Sequence, residues 1–315
     1  MDTTAARPAP LGAHLYAWVQ ERFPLANGLL FFVVYAAALL LGRSAGGGPV
    51  ALRLGDLGGF AAAWAFFLML RVFDEHKDYE NDCRLYPERV LSRGLVTLGQ
   101  LKVVGAVAIA VQLGVSLAVD GGVGPVTLRW LVVMGWSALM LREFFVRRWL
   151  SRHLVVYAVS HMVVTPLAIL WLAQMGAGGA PLDRRVWAYA GMSFLFGFCF
   201  ELARKMKAPD EERAAVATYT SLFGVWRVAF AVSVLWALAT VTLAFVLVDG
   251  GVAAASPSLW AGVLALALPA SLALERFAHR PSPRAAKLAQ AAVGLSMLVA
   301  NGALAGTLLV LGGRP

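Results

Sequence analysis

Cysteine is nearly missing from this chain. Cys83 and Cys199 are the two in 315 residues, and they lie far apart in sequence, which excludes a disulfide framework or a zinc site built on paired thiolates. Charge is scarce as well: 14% of residues are Asp, Glu, Lys or Arg, against about 25% in soluble domains. No GxxxxGK[ST], GxSxG or HExxH sequence occurs, so nothing points to a phosphate loop, a serine-hydrolase elbow or a zinc-protease helix. The segment from Met1 to Pro24 has no apolar stretch of the kind a cleaved signal peptide needs, and no linker or low-complexity tract interrupts the chain. A single domain, residues 1–315, is expected.

What fills the space left by charge is apolar. Hydrophobic residues make up 60% of the chain, and the mean hydropathy is +0.71. Nine apolar stretches read as membrane helices, at approximately 27–43, 56–73, 101–119, 126–145, 154–175, 186–205, 219–247, 258–274 and 286–311. The connections alternate in character. With the N-terminal segment 1–26 placed inside, the inside segments 1–26, 71–102, 142–153, 204–227 and 275–287 hold 21 of the 27 Lys and Arg residues. This asymmetry predicts a cytosolic N-terminus and an outside C-terminus in the plasma membrane. It also accounts for the net charge of +9 through membrane topology and lipid, without nucleic acid. The outside connections are short and glycine-rich, as at Gly46-Gly47-Gly48 and Gly121-Gly122.

Acidic residues are concentrated where the second stretch ends. Asp74, Glu75, Asp78, Glu80 and Asp82 fall within nine residues. On a helix, Asp74, Glu75, Asp78 and Asp82 lie within an arc of roughly 100°. Like charges on one face repel, and a hard divalent cation with oxygen ligands, such as Mg²⁺ shared with substrate phosphates, would compensate them. Arg71, Lys77, Arg84, Arg89 and Arg93 surround the cluster. Acids for a metal beside bases for phosphate point to diphosphate chemistry at a membrane surface. A solvated charged loop is the plainer reading of the same residues.

The segment from Arg71 to Thr97 resembles the first Asp-rich motif, NDxxDxxxD, of the UbiA-type membrane prenyltransferase superfamily. Asp74 takes the Asn place, Glu75 the first Asp place, and Asp78 and Asp82 the other two; Pro87, Arg89 and Gly94 match the downstream part. A second segment, Phe200 to Gly224, resembles the family's second motif in its tail, where Thr218 precedes Gly224 by six residues. Its body departs from the pattern, because Lys207 and Glu211 stand where two Asp residues usually do. Arg147-Arg148 weakly resembles a basic pair that the family carries after its fourth helix.

The resemblance implies an all-α bundle of nine transmembrane helices with a central cavity open to the cytosolic side. It implies transfer of an isoprenoid chain from a prenyl diphosphate to a small-molecule or lipid acceptor, with Mg²⁺. Asp78, Asp82 and Glu75 would be the catalytic carboxylates. Asp74, Glu75, Asp78 and Asp82, with Glu201, Asp210 and Glu211, would be the metal ligands. Lys77, Arg89, Arg147, Arg148, Arg204, Lys205 and Lys207 would hold the diphosphate. Phosphoribosyl-type transfer to a polyprenyl phosphate remains an alternative, as does a transporter with an acidic mouth. The DGxxAR signature of the CDP-alcohol phosphotransferases is absent. No protein partner is indicated, and His161 in the fifth stretch is expected to make a helix-to-helix hydrogen bond.

Overall fold

A computed structural model describes residues 10–213, 217–252 and 257–312, and regular structure among them is entirely helical. The helices are α1 (Leu11–Arg22), α2 (Gly28–Ala45), α3 (Asp56–Leu85), α4 (Leu98–Asp120), α5 (Pro125–Leu141), α6 (Arg147–Leu150), α7 (Leu154–Met162), α8 (Val164–Ala177), α9 (Arg184–Arg204), α10 (Tyr219–Phe223), α11 (Val225–Asp249), α12 (Pro257–His279) and α13 (Pro283–Gly312). Among the described residues, eight helical stretches are long and apolar enough to cross a membrane, α7 and α8 together forming one of them; α5, at 17 residues, is shorter. Exposed apolar stripes such as Leu264, Leu268 and Leu272 on α12 recur at helical spacing, the pattern expected of a surface covered by lipid. The protein is a multi-pass membrane protein.

Helix starts follow local chemistry. The Asp183 carboxylate accepts from the backbone N–H groups of Arg185 and Val186 at 3.0 and 3.1 Å and so caps α9. Asp120 does the same for α5, accepting from Val126 and Thr127 at 3.2 and 2.7 Å. Pro125 occupies the first turn of α5, where its missing N–H costs nothing.

Two stretches that read as continuous in the sequence are interrupted. Pro166 has no N–H for the preceding turn, and the stretch 154–175 divides at Val163 into α7 and α8. The stretch 219–247 divides at Gly224, whose φ of 83° ends α10 and turns the chain into α11. The second stretch differs in the other direction: α3 continues to Leu85, so the acidic motif is helical throughout.

The chain forms two compact units. The described residues of the first are 10–32 and 57–115. Its core is a cluster of Trp18, Val72, Val90, Leu91, Val96 and Leu101, with Leu15 and Val19 of α1 packed against it. This cluster seats α1 on α3 and the chain that follows. Phe23, Phe31, Trp64 and Phe67 form a second, aromatic contact, with Phe31 stacked on Phe67 at 4.3 Å. Gly28 is required beside it, because a Cβ there would sit 2.3 Å from the Trp64 ring.

The described residues of the second unit are 33–56, 116–213, 217–252 and 257–312. In it α9 packs on α8, α11 and α13, while α12 packs on α11 and α13. The C-terminal part of α2 meets α8 backbone to backbone. A Cβ at Gly42 would lie 1.9 Å from the Ala173 carbonyl oxygen, and one at Gly176 2.0 Å from that of Leu39. Small residues let membrane helices approach this closely.

Candidate active site

At 1.5 Å per residue the 30 residues of α3 span about 45 Å, against about 30 Å of bilayer hydrocarbon. The last ten or so residues therefore project beyond the apolar layer, and the acidic motif rides on that projection. Arginines hold it together.

Glu75 is 2% exposed, and its Oε1 accepts from Arg22 Nε at 2.6 Å and from Arg71 Nε at 3.0 Å. Asp82 Oδ2 accepts from Arg89 Nη1 at 2.5 Å and from Arg22 Nη2 at 3.3 Å. Arg22, at the end of α1, thus ties together two turns of α3 that lie seven residues apart in sequence. The Arg89 guanidinium also lies 3.7 Å above the Tyr86 ring, a contact that orients it. Asp74 is half-exposed and sits 3.6 Å from Lys77 Nζ and 3.9 Å from Arg71. Asp78, one turn from Asp82 on the same face, is half-buried. His76 acts as a strut: its ring nitrogens face the Val72 and Leu98 carbonyls at 2.9 and 3.2 Å.

Within the first unit, then, Asp74, Glu75, Lys77, Asp78, Asp82 and Arg89 share one cluster, and Arg22 is an addition from α1. The sequence carried a signal for it, since Leu11, Leu15, Trp18, Val19 and Arg22 share one helical face. Glu21 on the same helix accepts from the Val90 N–H at 3.1 Å.

Among the described residues no group of three or more His, Cys, Asp or Glu side chains is gathered closely enough to hold a metal ion by itself. Mg²⁺ seldom uses an all-protein cage; it takes one or two carboxylates and completes its shell with water and phosphate oxygens. Asp78 and Asp82 fit that demand as hard oxygen donors one turn apart. Glu75 fits it poorly, because its carboxylate is only 2% exposed, whereas Asp82, although also held by two guanidinium groups, keeps 20% of its exposure and makes both contacts through Oδ2 alone.

In the second unit, the last turn of α9 carries Glu201, which accepts from Arg204 at 2.6 Å and from Lys205 at 2.7 Å. Lys205 Nζ also lies 5.9 Å from the ring centres of Tyr157 and Tyr219. The Tyr219 hydroxyl is buried without a hydrogen-bond partner among the described residues. Burial, and then the Glu201 carboxylate, push its pKa well above the ordinary phenol value, so it carries its proton at neutral pH. Lys207 is half-buried, and its backbone N–H donates to Thr220 Oγ1 at 2.9 Å. Glu212 accepts from the Thr218 and Thr220 hydroxyls, each at 2.7 Å. Asp210 is exposed, and Glu211 lies beside it in a short 3₁₀ turn. Arg147 and Arg148 are exposed on the single turn of α6 and make no ion pair among the described residues.

The expected stretch 126–145 is cut short, because α5 ends at Leu141 and a turn precedes α6. Glu143, Phe144 and Phe145 have φ values of 50°, 52° and 61°, three successive left-handed residues without a glycine. Each costs on the order of 1–3 kcal/mol, and such strain clusters at functional sites. Here it buries Glu143, whose Oε1 accepts from the Tyr157 hydroxyl at 3.3 Å, while the Tyr157 ring stacks on His161 at 4.0 Å. His161 Nδ1 lies 2.8 Å from its own helix's Tyr157 carbonyl.

No family model and no curated protein matches the sequence. Solved structures do match. A digeranylgeranylglyceryl phosphate synthase is 13% identical with a TM-score of 0.64, covering 95% of this chain and 99% of that one. A UbiA homologue from Aeropyrum pernix K1 is 15% identical with a TM-score of 0.60, covering 85% and 97%. A UbiA homologue from Archaeoglobus fulgidus is 16% identical with a TM-score of 0.54, covering 90% and 99%. At these identities the likeness is one of architecture, and it extends over nearly the whole length of each chain: this protein has the UbiA fold.

Proposed function

We propose that this protein is an integral-membrane prenyltransferase that moves an isoprenoid chain from a prenyl diphosphate to a small-molecule or lipid acceptor, with Mg²⁺. One observation carries the reading. In a chain with the UbiA fold, Asp78 and Asp82 stand on the projecting end of α3 among Arg22, Arg71, Lys77 and Arg89. The likeness to a digeranylgeranylglyceryl phosphate synthase supports isoprenoid transfer as the reaction class.

Rupture of the allylic C–O bond leaves negative charge on the departing diphosphate. Cations fixed beforehand stabilise that charge as it develops, without reorganising. Arg89 is fixed by Asp82 and Tyr86, and Lys77 by its place beside Asp74. Asp78 and Asp82 would hold Mg²⁺, which when bound supplies Lewis-acid neutralisation of the diphosphate. Glu75 is assigned to holding Arg22 and Arg71. Arg204, Lys205 and Lys207 belong to a segment that departs from the family's second motif, and a phosphate contact by them rests on their charge alone.

The test is direct. Purified protein is incubated with labelled prenyl diphosphates of several lengths and a host lipid extract. Diphosphate release and a labelled lipid product are expected with Mg²⁺ and not with EDTA. Absence of release at every chain length would reject the reading.

We further infer a cytosolic N-terminus and an outside C-terminus in the plasma membrane, on the strength of the 21-to-6 division of basic residues. In a variant lacking Cys83 and Cys199, a cysteine introduced by Glu80→Cys or Glu211→Cys should resist an impermeant thiol reagent applied to intact cells. Ready labelling would reverse the orientation.

A further inference from the structure

We propose that α11, α12 and α13 form a binding site for one anionic phospholipid, separate in its residues from the groups assigned to diphosphate chemistry. A groove of about 1370 Å³ runs between these helices, lined by residues such as Leu243, Gly262, Pro269, Leu288 and Gly306. It exceeds the roughly 300–1,000 Å³ of ordinary small-ligand pockets. Its origin is legible in the residues. A Cβ placed at Gly262 or at Gly306 would meet no atom within 4 Å, so small residues leave open space here instead of drawing helices together. Pro269 stands inside α12, where it removes one backbone hydrogen bond and bends a helix.

One end of the groove is charged. A second cavity of about 330 Å³, lined by Glu275, Arg276, His279 and Arg280, shares Leu272 and Arg276 with the groove. Two guanidinium groups there outnumber one carboxylate. Like Arg147 and Arg148, Arg276 and Arg280 make no ion pair among the described residues, and these two stand at the end of the apolar groove. Trp226 meets His279 edge-on at 5.5 Å, and tryptophan at such a position marks the headgroup level of a membrane.

The groove lining runs along α12 from Ser258 to Arg276. Those 18 steps cover about 27 Å, close to the thickness of the hydrocarbon layer. An apolar slot of membrane length, opening at one end on unpaired arginines, matches an amphiphile with an anionic head and long chains. Basic pockets between membrane helices hold phospholipid headgroups in this way, and guanidinium–phosphate pairs supply strong, directional bonds. A resident bilayer phospholipid meets the description without any additional partner.

Native mass spectrometry of the delipidated protein, titrated with phosphatidylglycerol or phosphatidylcholine, tests the proposal. One phosphatidylglycerol should be retained per chain, at least fivefold more tightly than phosphatidylcholine, and millimolar inorganic phosphate should not displace it. The Arg276→Ala/Arg280→Ala variant should lose the preference for the anionic lipid. Gly262→Leu/Gly306→Leu should lower retention of both lipids. The arginine variant changes exposed residues only, so it remains informative if the groove-filling variant fails to fold. Equal retention of the two lipids by the unaltered protein would overturn the proposal, as would undiminished preference in the arginine variant. One-for-one displacement of the lipid by a prenyl diphosphate would give the groove to substrate instead. None of these outcomes depends on catalytic activity, so the lipid site and the transferase reading stand or fall separately.

Discussion

Asp82→Asn is expected to lower the rate of the proposed prenyl transfer by about two to three orders of magnitude, the usual cost of removing one electrostatic group that acts on developing charge, and to leave the helices intact. Asn keeps the shape of Asp and still accepts hydrogen bonds from Arg22 and Arg89, which contact Asp82 at 3.3 and 2.5 Å. What it loses is the negative charge available to a cation. Asp78→Asn is expected to behave alike, since Asp78 shares the face of α3 one turn away. The comparison is made on purified protein in detergent, with helicity followed by circular dichroism and rate measured across a Mg²⁺ titration. Retention of Mg²⁺-dependent turnover near the original rate in either variant would remove these two residues from the metal assignment.

Glu75→Gln should do something different. Its carboxylate is 2% exposed and neutralises Arg22 and Arg71 together. Removing one member of a buried ion pair costs about 3–5 kcal/mol. The lower end, about 3 kcal/mol, applies here because the two arginines keep 14% and 25% of their side-chain exposure and some solvation with it. The loss should appear as a lower midpoint on unfolding by sodium dodecyl sulfate, with the Mg²⁺ concentration for half-maximal activity unchanged. The reverse pattern, normal unfolding and a weakened Mg²⁺ response, would make Glu75 a metal ligand after all.

The contrast between these two carboxylates marks how far the sequence could be read. Spacing along one helical face was enough to bring Asp74, Glu75, Asp78 and Asp82 together, because α3 continues unbroken through them. Spacing does not say which carboxylate is buried. That depended on Arg22, which lies 53 positions before Glu75, on a helix of 12 residues. The helix is too short and too polar to register as a membrane segment, and its apolar face is legible only when Leu11, Leu15, Trp18 and Val19 are taken together.

The long apolar stretches were plain because about 20 apolar residues have few other destinations. Their interruptions were harder to find. Pro166 and Gly224 carried recognisable signals, a missing donor and a freedom to take positive φ. The turn at Glu143, Phe144 and Phe145 carried none, since none of the three favours a left-handed backbone, and only the surrounding structure holds them there. The polar pocket it creates around Tyr157 was illegible for the same reason.

The bond between Arg22 and Glu75 bears on how the protein is handled at the bench. Residues ahead of the first apolar stretch look like a tail to be trimmed or replaced by a fusion tag. Trimming through Arg22 would strip a buried carboxylate of one of its two counter-charges and unseat Trp18 from the cluster beneath it. A shortened version that purified poorly or turned over slowly would be reporting damage to the acidic motif rather than the loss of a passive leader, and tags belong at the other end.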